Sequence, residues 1–147
     1  MTDMDFMKQA LELARKAAAL GEVPVGALVV KDGVVVATAH NEREILPDAT
    51  AHAEVLAIRR ACAALGTNRL SGCTLYVTLE PCPMCAGALV NARVDRVVFG
   101  AKDARGGACG SLIRIQQYPL YYMPAFEGGV LAEECGAVMT EFFASKR

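Results

Sequence analysis

An α/β fold, with a sheet covered by helices, is what the order of periodicities along this chain predicts. Three observations carry it. β-branched runs alternate with helical runs from residue 3 to residue 143, the first two helical runs stop at Gly21 and Gly66, and an Asp-Gly pair sits where a hairpin would turn.

Residues 3 to 20 place Phe6, Met7, Ala10, Leu11, Leu13, Ala14 and Ala17 at helical spacing, which predicts an amphipathic first helix. Val25 to Val30 and Val34 to Ala39 flank Lys31-Asp32-Gly33 and predict two antiparallel strands. Residues 51 to 65 return to a helical pattern through Val55, Leu56 and Ile58, with His52 and Glu54 in its first turn. Leu75 to Leu79 reads as a strand, Pro81 to Ala92 as a helix with Cys82 and Cys85 in its first turn, and Val94 to Gly100 as another strand. A glycine-rich loop, Gly106 to Gly110, follows, and Glu133 to Phe143 predicts a closing helix. Residues 112 to 130, with Pro119, Pro124 and the Gly128-Gly129 pair between 119 and 129, read as irregular chain.

At 147 residues the chain fits one domain, 1–147, able to bury roughly two-thirds of the surface its unfolded form exposes. Apolar residues make up 54% and charged residues 21%, a globular composition rather than a disordered one. No apolar stretch approaches the length of a membrane span, and Asp3 and Asp5 stand where an export signal would be basic, so the expected location is cytoplasmic. Six cysteines are then expected to be thiols, and a C-x-x-C pair to bind metal or act in redox chemistry rather than form a disulfide framework. Cys62, Cys73, Cys109 and Cys135 are expected to be small buried hydrophobes. The net charge of −1 gives no global basic footprint, although one can be local.

Catalytic zinc takes three protein ligands and keeps its fourth position open, and the sequence offers one such set in His52, Cys82 and Cys85. The two cysteines, three residues apart, share one face of a helical turn, and two helix starts aimed at one point favour thiolates. Glu54 follows His52 by two residues, so it need not ligate the same ion and can serve as a proton shuttle beside it. Taken singly, a histidine at a helix start is usually structural, and a lone C-x-x-C can be a redox pair. A structural zinc would want a fourth side-chain ligand, and His40, the only other histidine, lacks the paired spacing.

His52-Ala53-Glu54 and Pro81-Cys82-Pro83-Met84-Cys85 match the signature of the zinc deaminases. With Glu22 to Ala27, Thr50 to Glu54, Thr74 to Ala88, Arg96 to Ala101 and Gly110-Ser111-Leu112, the chain resembles the bacterial tRNA-specific adenosine deaminases of the cytidine/deoxycytidylate deaminase superfamily. The resemblance runs to about residue 112 and resumes at Gly129 to Cys135. It implies a three-layer α/β/α cytidine-deaminase-like fold with a five-stranded mixed sheet, and a homodimer with one zinc ion per subunit. It also implies hydrolytic deamination of adenosine to inosine at the wobble position of a tRNA anticodon loop. On that resemblance Glu54 is the catalytic residue, Asn41 and the backbone of Ala53 hold the nucleoside, and Asp103 and Arg105 belong to an RNA-contacting loop. Asn41 can also be read as a turn residue, and the loop as a solvated surface turn.

Arg93, Arg96, Lys102, Arg105 and Arg114 outnumber Asp95 and Asp103 by three, which offers a local phosphate-binding patch or merely scattered surface charge. The chain departs from the family at Tyr121-Tyr122, where an Asn-His pair is common. These tyrosines could stack on unpaired bases, or be core or interface aromatics. An alternative function is deamination of free nucleobases or nucleosides of the guanine or cytosine type. A zinc-stabilised interaction domain is a third, and it leaves Glu54 without a purpose.

Overall fold

The computed structural model describes residues 1–146 and contains a five-stranded mixed sheet with helices on both faces. Helix α1 (Asp3–Ala19) begins at a capping box in which Asp5 N–H donates to the Thr2 hydroxyl and the Thr2 N–H donates to the Asp5 carboxylate, satisfying two otherwise unpaired donors. Strands β1 (Gly26–Lys31) and β2 (Val34–His40) form the expected hairpin. Asp32 and Gly33 both take positive φ, 51° and 77°, as the favoured two-residue hairpin turns demand.

Helix α2 (Ala53–Leu65), strand β3 (Cys73–Leu79), helix α3 (Pro83–Ala92) and strand β4 (Arg96–Ala101) follow. Strand β5 (Ala125–Gly128) and helix α4 (Ala132–Ser145) complete the chain. The strand order is β2-β1-β3-β4-β5, with β1 antiparallel to β2 and β3, and β3, β4 and β5 mutually parallel. The stretch from 112 to 130 is therefore not wholly irregular. It holds a short 3₁₀ turn at Ile115–Gln117 and all of β5, whose four residues pair in parallel along the sheet edge, from Arg96 opposite Ala125 to Phe99 opposite Gly128.

Alternate residues of the central strands face two separate cores, as pleating requires. Ala27, Val29, Leu75, Val77, Val97 and Phe99 pack with Ala53, Leu56, Ala57 and Ala61 of α2 and Ala86 and Leu89 of α3. Leu28, Val30, Tyr76 and Val98 pack on the other face with Phe6, Met7, Ala10 and Leu11 of α1 and Cys135 of α4. Most of the residues that α2 and α3 give to the first core are alanines: Ala53, Ala57, Ala61, Ala86 and Ala92, beside Leu56 and Leu89.

The start of α1 is tied to the sheet. Arg96 donates to both Asp3 carboxylate oxygens (3.0 and 2.5 Å), Tyr76 Oη donates to Asp3 at 2.6 Å, and Arg96 also pairs with Glu127 of β5. Arg96 is thus consumed within the fold and drops out of the basic patch that residue counting offered. Cys73, Cys109 and Cys135 are buried free thiols and Cys62 is half-buried, in keeping with their reading as small hydrophobes. No helix among the described residues is long and apolar enough to cross a membrane.

Candidate active site

Two helix N-termini meet at one point beside the carboxyl ends of the parallel strands, the usual binding location in open α/β sheets. Both helices start two residues later than sequence spacing suggests, at Ala53 and Pro83. His52 and Cys82 are N-cap residues with extended backbone, φ −74° and ψ 152° for His52 and φ −74° and ψ 172° for Cys82, rather than first-turn residues. Neither side chain caps its own helix, which leaves both free to turn toward a shared centre. Pro83 occupies the first turn of α3, where its missing N–H costs nothing. Cys85 follows within that turn and is fully buried.

The imidazole Nδ1 of His52 lies 3.6 Å from Cys82 Sγ and 3.5 Å from Cys85 Sγ, and the three ligand atoms all fall within 4.8 Å of one another. Zn–S and Zn–N bonds of ordinary length, set at tetrahedral angles, separate nitrogen from sulfur by about 3.6 Å. One nitrogen and two sulfurs at this spacing therefore fit a tetrahedral metal of borderline softness, and the set leaves one coordination position for a non-protein ligand. His40 is not part of the cluster; its Nδ1 faces the carbonyl of Asn41 at 3.1 Å.

The electrostatics suit anionic ligands. A hydrogen bond from Cys85, then one from His52, holds the Cys82 thiol down at about 4 against the cost of burial, so Cys82 is the first of the pair to give up its proton. Cys85 goes up because it shares that proton with Cys82 and is buried, and His52 goes up chiefly through its bond to Cys82. Glu54, 4% exposed, is pushed up to about 7 by burial. A carboxyl balanced near neutrality can both take and return a proton.

A pocket of about 190 Å³ opens onto this cluster, lined by Val23, Val25, Asn41, Arg43, His52, Ala53, Glu54, Leu79, Glu80, Cys82 and Asp103. Asn41 does two things there. Its Oδ1 accepts the Arg43 N–H at 3.0 Å and its Nδ2 donates to the Val23 carbonyl at 3.2 Å, so it organises its turn while also lining the cavity. Ala53 lines the pocket as the first residue of α2, whose opening N–H groups have no partner inside the helix.

Asp103 reaches the pocket, whereas Arg105 donates its backbone N–H to Asp103 Oδ1 at 3.1 Å and stands exposed on the same loop, outside the lining. Tyr121 and Tyr122 lie at the far end of α3: Tyr121 Oη bonds Asn91, Tyr122 Oη donates to the Val94 carbonyl at 2.9 Å, and the Arg93 guanidinium sits over both rings. They are exposed or half-buried rather than core residues. Arg43 and Glu80, with apolar Val23, Val25 and Leu79, are the lining residues that sequence reasoning missed. Burial would raise the Glu80 carboxyl, but bonds from the Ser111 hydroxyl and the backbone of Asp103, Cys109 and Ser111 outweigh it and hold it below the usual range.

Known deaminases resemble the chain over nearly its whole length. The model of the MafB19-like deaminases matches residues 1–145. The tRNA-specific adenosine deaminase of Bacillus subtilis is 52% identical over 143 residues, covering 97% of this chain and 89% of that protein. A solved structure from a study of A-to-I editing by tRNA:A34 deaminases at the wobble position of transfer RNA superposes with a TM-score of 0.89 at 46% identity, covering 91% of this chain and 98% of its own. The guanine deaminase structure from Bacillus subtilis superposes with a TM-score of 0.69 at 35% identity over 99% of this chain and 94% of its own. A cluster of two thiols and an imidazole beside a buried carboxyl, on a chain this similar over nearly its whole length to deaminases, places the protein in the MafB19-like deaminase family, among the relatives of the tRNA-specific adenosine deaminases.

Proposed function

We propose that this hydrolytic deaminase converts adenosine to inosine at the wobble position of a tRNA anticodon, using one zinc ion held by His52, Cys82 and Cys85. The observation that carries the proposal is the convergence of those three ligand atoms with buried Glu54 on one small pocket, in a chain whose tRNA-deaminase relative is 52% identical. Zinc bound there would lower the pKa of a water toward neutrality, which supplies a nucleophile.

Glu54 manages the protons. It would accept one from the water and deliver it to the ring nitrogen beside the reacting carbon, then take the second from the newly attached hydroxyl and pass it to the departing amine, so that the C–O bond forms, the C–N bond breaks, ammonia leaves and a carbonyl remains. Asn41 retains one amide hydrogen and one lone pair beyond its loop bonds, enough to orient the nucleoside. The Ala53 N–H meets the base, and Val23, Val25 and Leu79 give it an apolar wall that excludes water. A pocket of about 190 Å³ suits one extruded base, with the rest of the anticodon loop lying outside. Asp103 and Arg105 would contact that loop, and exposed Lys102, Arg105 and Arg114 remain to meet its phosphates.

We further propose that a single domain of residues 1–147 carries the reaction and works as a homodimer, since Leu112, Ile113, Tyr118, Leu120 and Tyr121 expose apolar surface after the loop. Six free thiols suit a reducing compartment, and a cytoplasmic location is proposed with them.

The second reading, deamination of a free base, is favoured by the likeness to guanine deaminase over 99% of the chain. One comparison separates the two. Zinc-loaded protein is incubated with an anticodon stem-loop bearing a wobble adenosine and, separately, with adenine, guanine, cytosine and their nucleosides, and inosine and ammonia are measured. Inosine in the stem-loop is expected; turnover of free bases alone would overturn the substrate assignment.

A further inference from the structure

Two walls of the pocket are loops, and each closes over a carboxylate buried in the fold. Glu22 is 1% exposed and Glu80 is 2% exposed. Among the described residues, neither has a lysine or arginine partner in an ion pair. Among the described residues, their polar partners are loop donors alone. Glu22 accepts the Glu44 N–H at 3.0 Å and the Ile45 N–H at 2.7 Å, both from the loop that carries Asn41 and Arg43. Glu80 accepts the N–H groups of Asp103 (3.1 Å), Cys109 (2.9 Å) and Ser111 (3.1 Å) and the Ser111 hydroxyl, all from the loop that carries Asp103 and Arg105.

We infer that Glu22 and Glu80 are a pair of positioning residues that fix the two substrate-facing walls of the pocket, one carboxylate to each loop. A buried charge paired only with donors of one loop makes loop displacement costly, because the loop cannot lift without leaving that charge unmatched. The surrounding packing enforces the same arrangement. Gly107 passes against the Glu80 carboxyl so closely that a Cβ there would collide with it, so the loop is fitted to this side chain. Both anchors stand at element boundaries next to proline, Glu22-Val23-Pro24 before β1 and Glu80-Pro81-Cys82 between β3 and α3. Glu80 thereby links the segment that delivers Cys82 to the loop that delivers Asp103. Neither carboxylate needs to touch the substrate; each acts through the loop it holds.

The kinetic part of this inference rests on the deaminase reading, and the structural part does not. The test compares zinc-loaded wild type, Glu22→Gln and Glu80→Gln by metal content, amide hydrogen exchange and steady-state kinetics on the stem-loop. Gln keeps the shape but turns an N–H toward donors that need an acceptor. Expected are unchanged zinc content and at least about tenfold faster exchange, at Glu44 and Ile45 only for Glu22→Gln, and at Asp103, Cys109 and Ser111 only for Glu80→Gln. KM should rise about tenfold or more while kcat stays within about threefold. The Glu80→Gln effect should vanish in an Asp103→Ala background, since it acts through that loop.

Unchanged exchange, loosening of both loops by either variant, or a fall in kcat at constant KM would overturn the inference. If wild type deaminates only a free base, the wobble-adenosine assignment fails, and the same kinetic comparison is made on that base. Should Glu80→Gln not fold, Ser111→Ala removes one of the four donors, the hydroxyl, and leaves the three N–H groups, and the same exchange pattern is required of it.

Discussion

His52 Nδ1 stands 3.5 Å from Cys85 Sγ although 33 residues separate them in the chain, and the contact is made by two helix starts rather than by any local turn. Removing either thiol should therefore remove the metal. Cys85→Ser or Cys82→Ala is expected to carry less than about a tenth of the zinc of wild type after dialysis and to lose activity, because three ligands are the minimum for tight binding at such sites. Metal analysis by mass spectrometry checks this, and a stoichiometric zinc content in both variants would show that the ion sits elsewhere.

Glu54→Gln separates chemistry from binding. The amide keeps the volume and cannot cycle a proton, so kcat should fall by about a thousandfold or more with zinc still bound and KM little changed. Retained turnover would remove Glu54 from the proton path.

Metal-free protein should reveal the cost of burying that carboxyl. Glu54 is pushed up to about 7 from an ordinary 4.5, so between those values the folded chain keeps a proton that the unfolded chain has released. Stability then declines as pH rises from 4.5 toward about 7 and levels off above, by up to about 3 kcal/mol. Chelated Glu54→Gln should lack this part of the slope and melt higher than chelated wild type at pH 8. Parallel melting curves against pH for the two proteins would contradict the assignment.

The anchor of α1 predicts the opposite sign. Arg96 and then Tyr76 hold Asp3 below its usual value of 3.8, so its contribution is present above 3.8 and lost as pH falls through the lower folded value. Asp3→Asn should lower stability at neutral pH by about 1 kcal/mol, a modest figure because the pair is partly exposed, and the difference from wild type should close in acid. Urea titrations at pH 7 and pH 3 measure both.

Much of this architecture is legible in the chain itself. The alternation of periods gives four helices and four of the strands, and the metal set is readable because its members are chemically rare and each opens a helix. Strand β5 is not readable from periodicity. Its Ala-Phe-Glu-Gly has only half-buried Phe126 to mark an inner face and lies between Pro124 and the Gly128-Gly129 pair, so only pairing with β4 makes it a strand. The exact helix starts are hidden for a related reason, since an N-cap and a first-turn residue look alike until the backbone is seen. Arg96 counted as a surface cation because Asp3, 93 residues away, cannot be recognised as its partner. Glu22 and Glu80 look like ordinary surface acids, and only the loops folded over them reveal otherwise.

The alanine-rich core shared by α2 and α3 would act as a spacer gauge for a metal bound at the candidate site. Ala53, Ala57, Ala61 and Ala86 belong to the core behind the helix starts that present His52, Cys82 and Cys85, and interiors at crystal-like density transmit a single added methylene. Bulk introduced at Ala57 or Ala61 would widen the cage from behind while leaving every ligand in place, converting a tight tetrahedral bite into a looser one. A metal held there would then owe part of its affinity to side chains that never approach the ion.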